Sequence, residues 1–180
     1  MLFAEQGYAN TSIEQICQHA YVGTKGFYEI FDSREACYVA LLQGVTERTE
    51  ALVSTRFAAG ADELALVETF ARALVDDHRI AQVAFGHGMA VAPATERERR
   101  ANRRWAAEFV VRMWQSRDVP VGGRSEAELQ RLATGLIGGM FDLIADWLLD
   151  SDPADADAVD ALLRDLGAFY SVVRAGLADV

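Results

Sequence analysis

Apolar residues recur at helical spacing in one segment of this chain after another, and no stretch alternates apolar with polar between turn signals as a strand would. That pattern confines the chain to an all-α fold. Ile13, Ile16, Cys17 and Ala20 fall at i, i+3, i+4 and i+7, one face of a short helix. Two overlapping capping signals precede it, Thr11 with Glu14 and Ser12 with Gln15. Tyr21-Val22-Gly23 breaks the helix, and a second short one runs from Thr24 to about Phe31. Asp32 and Glu35 have capping-box spacing, and from Ser33 one long helix reaches about Ala58. Further helices run from about Asp62 to His78, over Ile80 to Val91 with a kink at Gly86 and Gly88, and from Thr95 to about Ser116. The last two run from Ser125, boxed with Glu128, to Leu149, and from Asp155 to Ala178. With a turn and a half at the N-terminus, the count is about nine.

Of the 180 residues 51% are hydrophobic and 24% charged, enough apolar surface to bury a core and too much for a disordered chain. Two cysteines exclude a disulfide scaffold and fit a reducing compartment; Cys17 and Cys37 are read as small core hydrophobes. The net charge of −10 argues against a protein coated in nucleic acid, though not against a small local DNA contact. The N-terminus lacks the basic start and long apolar run of a secretory signal. Leu132 to Leu149, the most apolar stretch, carries Asp142 and Asp146, so no membrane span and a cytoplasmic protein are expected.

Two short helices joined by a tight turn form a helix-turn-helix, in which the first helix braces the second and the second offers its N-terminal end to the major groove. Ile13, Ile16, Val22, Phe27 and Phe31 would supply the brace. Thr24, Lys25, Gly26 and Tyr28 would face outward: hydroxyls for phosphates or base edges, one charge, and a glycine that lets the backbone come close.

The run Leu2-Phe3-Ala4-Glu5-Gln6-Gly7-Tyr8, then Thr11-Ser12-Ile13-x-x-Ile16-Cys17-x-x-Ala20, Val22 to Phe31 and Ser33-Arg34-Glu35 resembles the head of a TetR-family transcriptional regulator. The match covers residues 2 to about 45 at many fixed spacings; the rest agrees in architecture only. The resemblance implies a helix-turn-helix DNA-binding domain over residues 1–45 and a larger C-terminal effector-binding and dimerisation domain over 46–180. It implies a homodimer that grips a palindromic double-stranded DNA operator and, as a repressor, is released by a small-molecule effector. It implies no enzymatic activity and no cofactor.

Residue by residue, Thr11 matches the family's phosphate contact at the start of its second helix. Thr24, Lys25 and Gly26 match base contacts, Tyr28 an aromatic phosphate contact, and Arg34 the usual lysine that touches the DNA backbone. Phe27 belongs to the same DNA-binding helix as a packing position.

The chain departs from the family in several places. The family's first helix normally begins well before the position of Met1 and is basic, so residues ahead of Met1 are expected. Gly23 stands where a capping Ser is common, and Glu29 and Ile30 stand where Tyr and His are frequent. Residues 1–50 hold Lys25, Arg34 and Arg48 against seven acidic residues, 3 − 7 = −4, a poor balance for gripping phosphate. The alternative is therefore a small-molecule-binding helical dimer that has lost DNA binding. The specificity of the pattern favours the regulator.

In the C-terminal part, Phe70, Phe85, His87, Met89, Trp105, Phe109, Met113, Met140 and Phe141 are candidates to line an effector pocket. Glycine inside a helix costs about 1 kcal/mol. Gly135 and Gly139, with Gly138 between them, therefore suggest close helix approach at a dimer interface, against the stripe Leu162, Leu166, Phe169, Tyr170 and Val173. Arg97, Arg99, Arg100, Arg103 and Arg104 read as a solvated helix face. No metal site, phosphate loop or catalytic signature is legible.

Overall fold

A computed structural model describes residues 2–85 and 93–178. Within them the chain forms nine helices: α1 (Leu2–Gln6), α2 (Ile13–Ala20), α3 (Thr24–Tyr28), α4 (Arg34–Ala58), α5 (Glu63–Val75), α6 (His78–Phe85), α7 (Pro93–Ser116), α8 (Glu126–Asp150) and α9 (Ala156–Ala175). His87 and Met89, and the kink expected at Gly86 and Gly88, lie outside the described residues. α7 starts two residues earlier than the spacing predicts, because Pro93 opens it; proline suits a first helical turn, where its missing N–H is not needed.

The caps decide where the helices begin. Of the two overlapping signals before α2, Ser12 with Gln15 wins. The Ser12 Oγ accepts from Gln15 N at 3.2 Å, and Gln15 Oε1 accepts from Ser12 N at 2.8 Å. Thr11 is unavailable because its hydroxyl donates backward to the Gly7 carbonyl at 2.7 Å. One residue along from the expected Asp32, Ser33 caps α4 through Ala36 N. Asp62 caps α5, Ser125 with Glu128 boxes α8, and Asp155 caps α9. Replacing Ser12 by Ala is expected to cost about 0.5–2 kcal/mol, read as a lower urea midpoint, since α2 has only two turns to hold it.

Two apolar clusters organise the packing. The larger is built where α7 meets α8, α4 meets α5, and α9 covers α5 and α8, with Trp114, Ile144, Leu166 and Tyr170 at its centre. Each such side chain contributes about 1.5–3 kcal/mol by leaving water. The smaller cluster joins Phe3 of α1, Tyr38 and Leu42 of α4, and Val83 of α6. α4, 25 residues and so about 37 Å long, runs through both.

α8 is long and apolar enough to cross a membrane by length and composition alone. Its apolarity has a use within the bundle: Leu129, Ala133, Leu136, Ile137, Met140, Ile144 and Leu148 are buried in the larger cluster.

Candidate nucleic-acid interface and interior cavity

α2 and α3 pack against each other, joined by a turn of three residues. Phe27 turns inward, only 3% exposed, and meets Phe31 at 5.5 Å between ring centroids. Within the DNA-binding set it is therefore a packing position that holds α3 in place and offers no direct DNA contact. The other side of α3 is open. The Lys25 side chain is 93% exposed, Tyr28 is 54% exposed, and Thr24 is exposed beside them. A Cβ on Gly26 would meet nothing within 4 Å, so its backbone is accessible to close approach. Glu29 stands 3.9 Å from the Lys25 Nζ, one turn on, and partly neutralises it.

Two of the expected contacts are committed elsewhere. The Thr11 side chain is 0% exposed, so its expected phosphate contact is corrected to an internal brace of the turn between α1 and α2. Arg34 is half-buried: its Nη1 donates to the Thr11 carbonyl at 2.8 Å, and its guanidinium lies 4.3 Å above the Tyr8 ring. As placed, it ties the start of α4 to the α1–α2 turn. Val22, expected in the brace, is 47% exposed instead.

Sequence reasoning overlooked Tyr21. It closes α2 with φ 55° and ψ 38°, the left-handed region that favours glycine, and its side chain is 97% exposed beside α3. Val22 N then reaches back to the Cys17 carbonyl at 3.0 Å, which needs that conformation. Tyr21→Gly is expected to raise stability by about 1 kcal/mol in a urea melt, by removing the left-handed penalty for a side chain.

Residues 1–41 match the family model described as bacterial regulatory proteins, tetR family. The head is similar to that of the TetR family. No curated protein matches the sequence. The whole fold is similar to two solved structures. One is a transcriptional regulator from Cytophaga hutchinsonii, with TM-score 0.70 and 14% identity over 98% of this chain and 92% of that one. The other is a transcriptional regulator of the TerR/AcrR family from Aquifex aeolicus, with TM-score 0.64 and 16% identity over 96% of this chain and 92% of that one. The family match is confined to residues 1–41, and the likeness of the whole chain to these two structures is one of fold.

Behind this head lies a cavity of about 270 Å³ between α4, α5, α6, α7 and α8. Phe70, Phe85, Trp105 and Phe141 form its aromatic side; Phe141 stacks on Phe70 at 6.0 Å and meets Phe85 edge-on at 5.2 Å. Phe109, Met113 and Met140 do not reach it. They surround a separate void of about 30 Å³ that shares Phe70 and Trp105. The opposite side of the larger cavity is polar, with Thr46, Thr49, Arg99, Asn102 and Arg103. The arginine run is thus only partly the solvated face expected of it: Arg97, Arg100 and Arg104 are exposed, while Arg99 and Arg103 turn inward.

The expected interface stripe divides. Leu162, Leu166 and Tyr170 are buried in the chain's own core, at 2% exposure or less, which removes them from any dimer face. Tyr170 belongs to a polar chain: Trp114 Nε1 donates to its hydroxyl at 3.0 Å, and that hydroxyl donates to Glu63, which also receives Arg174 Nε at 2.9 Å. Burial, then the Glu63 carboxylate, push the Tyr170 phenol well above its ordinary pKa, so it stays a donor. Gly139 makes room for the chain's own Phe169, whose Cζ would lie 2.8 Å from an added Cβ. Gly135, in contrast, is exposed and open.

Proposed function

We propose that the chain is a dimeric, ligand-responsive repressor. The supporting observation is the joint between head and body. The Tyr38 hydroxyl donates to the Val83 carbonyl at 2.7 Å, and Val83 packs with Phe3 of α1. The two residues after Val83, Ala84 and Phe85, line the cavity; so does Leu42, one turn after Tyr38. A ligand that fills the cavity displaces the same two helices that position the head. A conformer whose two heads no longer meet successive major grooves is then favoured to the extent that ligand binds it better.

Two copies would pair through α8 and α9. The exposed apolar residues Leu132 and Leu143 and the open Gly135 share one face of α8, and Val172 is exposed on α9, while Phe169 and Val173 pack against the chain's own core. A second reading, a ligand-binding dimer without DNA affinity, draws on the excess of acid over base in residues 1–50.

Fluorescence anisotropy across a salt series decides between them. The DNA is labelled sequence from the gene's own upstream intergenic region, with a scrambled control. Tight, sequence-dependent binding by two chains per site, or a multiple of two, supports the repressor. Weak binding that is identical for both DNAs overturns it in favour of the second reading.

A further inference from the structure

We propose that the cavity takes a small carboxylic acid, its carboxylate held by Arg99 and its apolar body lying against Phe70, Phe85, Trp105 and Phe141. This rests on the reading of the cavity as the effector site.

Arg99 carries the inference. Its Nε and Nη2 are buried and donate to nothing; with the Thr95 hydroxyl they are the only such side-chain atoms among the described residues. Guanidinium does not release its proton in a protein, so burial cannot be relieved by neutralisation. Buried N–H groups of a cation left without an acceptor are costly to retain, and a carboxylate is the natural complement to two of them.

Three other polar side chains of the cavity are already engaged. The Thr46 and Thr49 hydroxyls donate to the Leu42 and Val45 carbonyls of their own helix, at 3.0 and 2.9 Å. Glu96 receives Arg100 at 2.9 Å and Arg103 at 3.4 Å. Asp142 is exposed, where water screens it, so it selects weakly for a cation. Among the described residues no carboxylate forms an ion pair with Arg99. The 270 Å³ volume accommodates a single-ring or short branched acid.

The position of Arg99 also gives such an acid a route to the head. The guanidinium lies beside the Tyr38 hydroxyl, whose pKa burial raises and Arg99 pulls back down. That hydroxyl joins α4 to the Val83 carbonyl of α6 at 2.7 Å.

The test is isothermal titration calorimetry on the full chain with matched probes: benzoate and 3-phenylpropionate, their amides, and benzylamine. The acids are expected to bind at least about tenfold tighter than their amides. Arg99→Gln should remove that difference, Phe141→Ala should weaken acid and amide together, and the exposed Arg104→Gln should change neither. Acid and amide binding equally, or benzylamine binding tightest, overturns the anionic class and leaves the cavity reading standing. Acid binding that survives Arg99→Gln overturns the role of Arg99. Failure of every probe to bind the wild-type chain overturns both readings, and because the acid–amide comparison uses the wild type, it stands even where a variant fails to fold.

Discussion

The double variant Lys25→Ala, Tyr28→Ala is expected to lose sequence-specific operator binding while melting at nearly the wild-type temperature. The two effects separate because of where the side chains sit. Lys25 is 93% exposed and Tyr28 54%, so neither carries the packing of the head, which rests on Phe27 and Phe31 below them. Surface substitutions of this kind change stability within about 0.5 kcal/mol. Their loss at the DNA is large because so little else on the head is available: Thr11 is buried and Arg34 holds the Thr11 carbonyl. Lys25→Ala alone should reduce the salt slope of binding by about one, the signature of one lost phosphate contact. Glu29→Gln should act in the opposite sense and tighten binding, since Glu29 sits 3.9 Å from the Lys25 ammonium and offsets its charge. Lys25 is also the chain's single lysine, so operator DNA should protect one side-chain amine from an amine-directed reagent. Undiminished operator binding by the double variant would remove α3 from the interface.

What the sequence disclosed depended on whether the deciding interaction was local. The head was legible because caps and turns are set by residues three or four apart, such as Ser12 with Gln15. What it left open there was the frame: Thr11 and Ser12 both fit the motif, and only the Thr11 bond back to Gly7 chooses between them. The arginine run misled because charge composition ignores helical phase. Thr95, Arg99, Asn102, Ala106 and Val110 fall on one face of α7, and Thr95, Ala106 and Val110 on that face are buried, so Arg99 turns inward with them. That phase was readable in the sequence. What covers a stripe was not. Leu162, Leu166, Phe169, Tyr170 and Val173 form a stripe by spacing whether a partner or the same chain lies against it, because periodicity names a face and not its neighbour.

The division of α9 gives the second large effect. Tyr170→Phe and Leu166→Ala are expected to destabilise the single chain, whereas Val172→Glu should leave the chain folded and separate the dimer. Leu166 is 1% exposed in the core, and shortening it loses both transfer energy and packing, about 2–5 kcal/mol. Tyr170→Phe keeps the ring and removes the oxygen at the centre of the polar chain. Trp114 Nε1 then has no acceptor, and Glu63 keeps Arg174 but loses the phenol, a cost of about 1–3 kcal/mol for a buried group left unpaired. Val172 is 72% exposed, so a carboxylate there costs the lone chain little; between two apposed α8–α9 faces it would be buried without a partner. Sedimentation equilibrium reads the association and urea melts at several protein concentrations read the fold. If Leu166→Ala dissociates the dimer with an unchanged chain stability, the buried stripe faces a partner after all and the assignment of the two sides of α9 reverses. If Val172→Glu remains a dimer, the pairing face lies elsewhere on the chain.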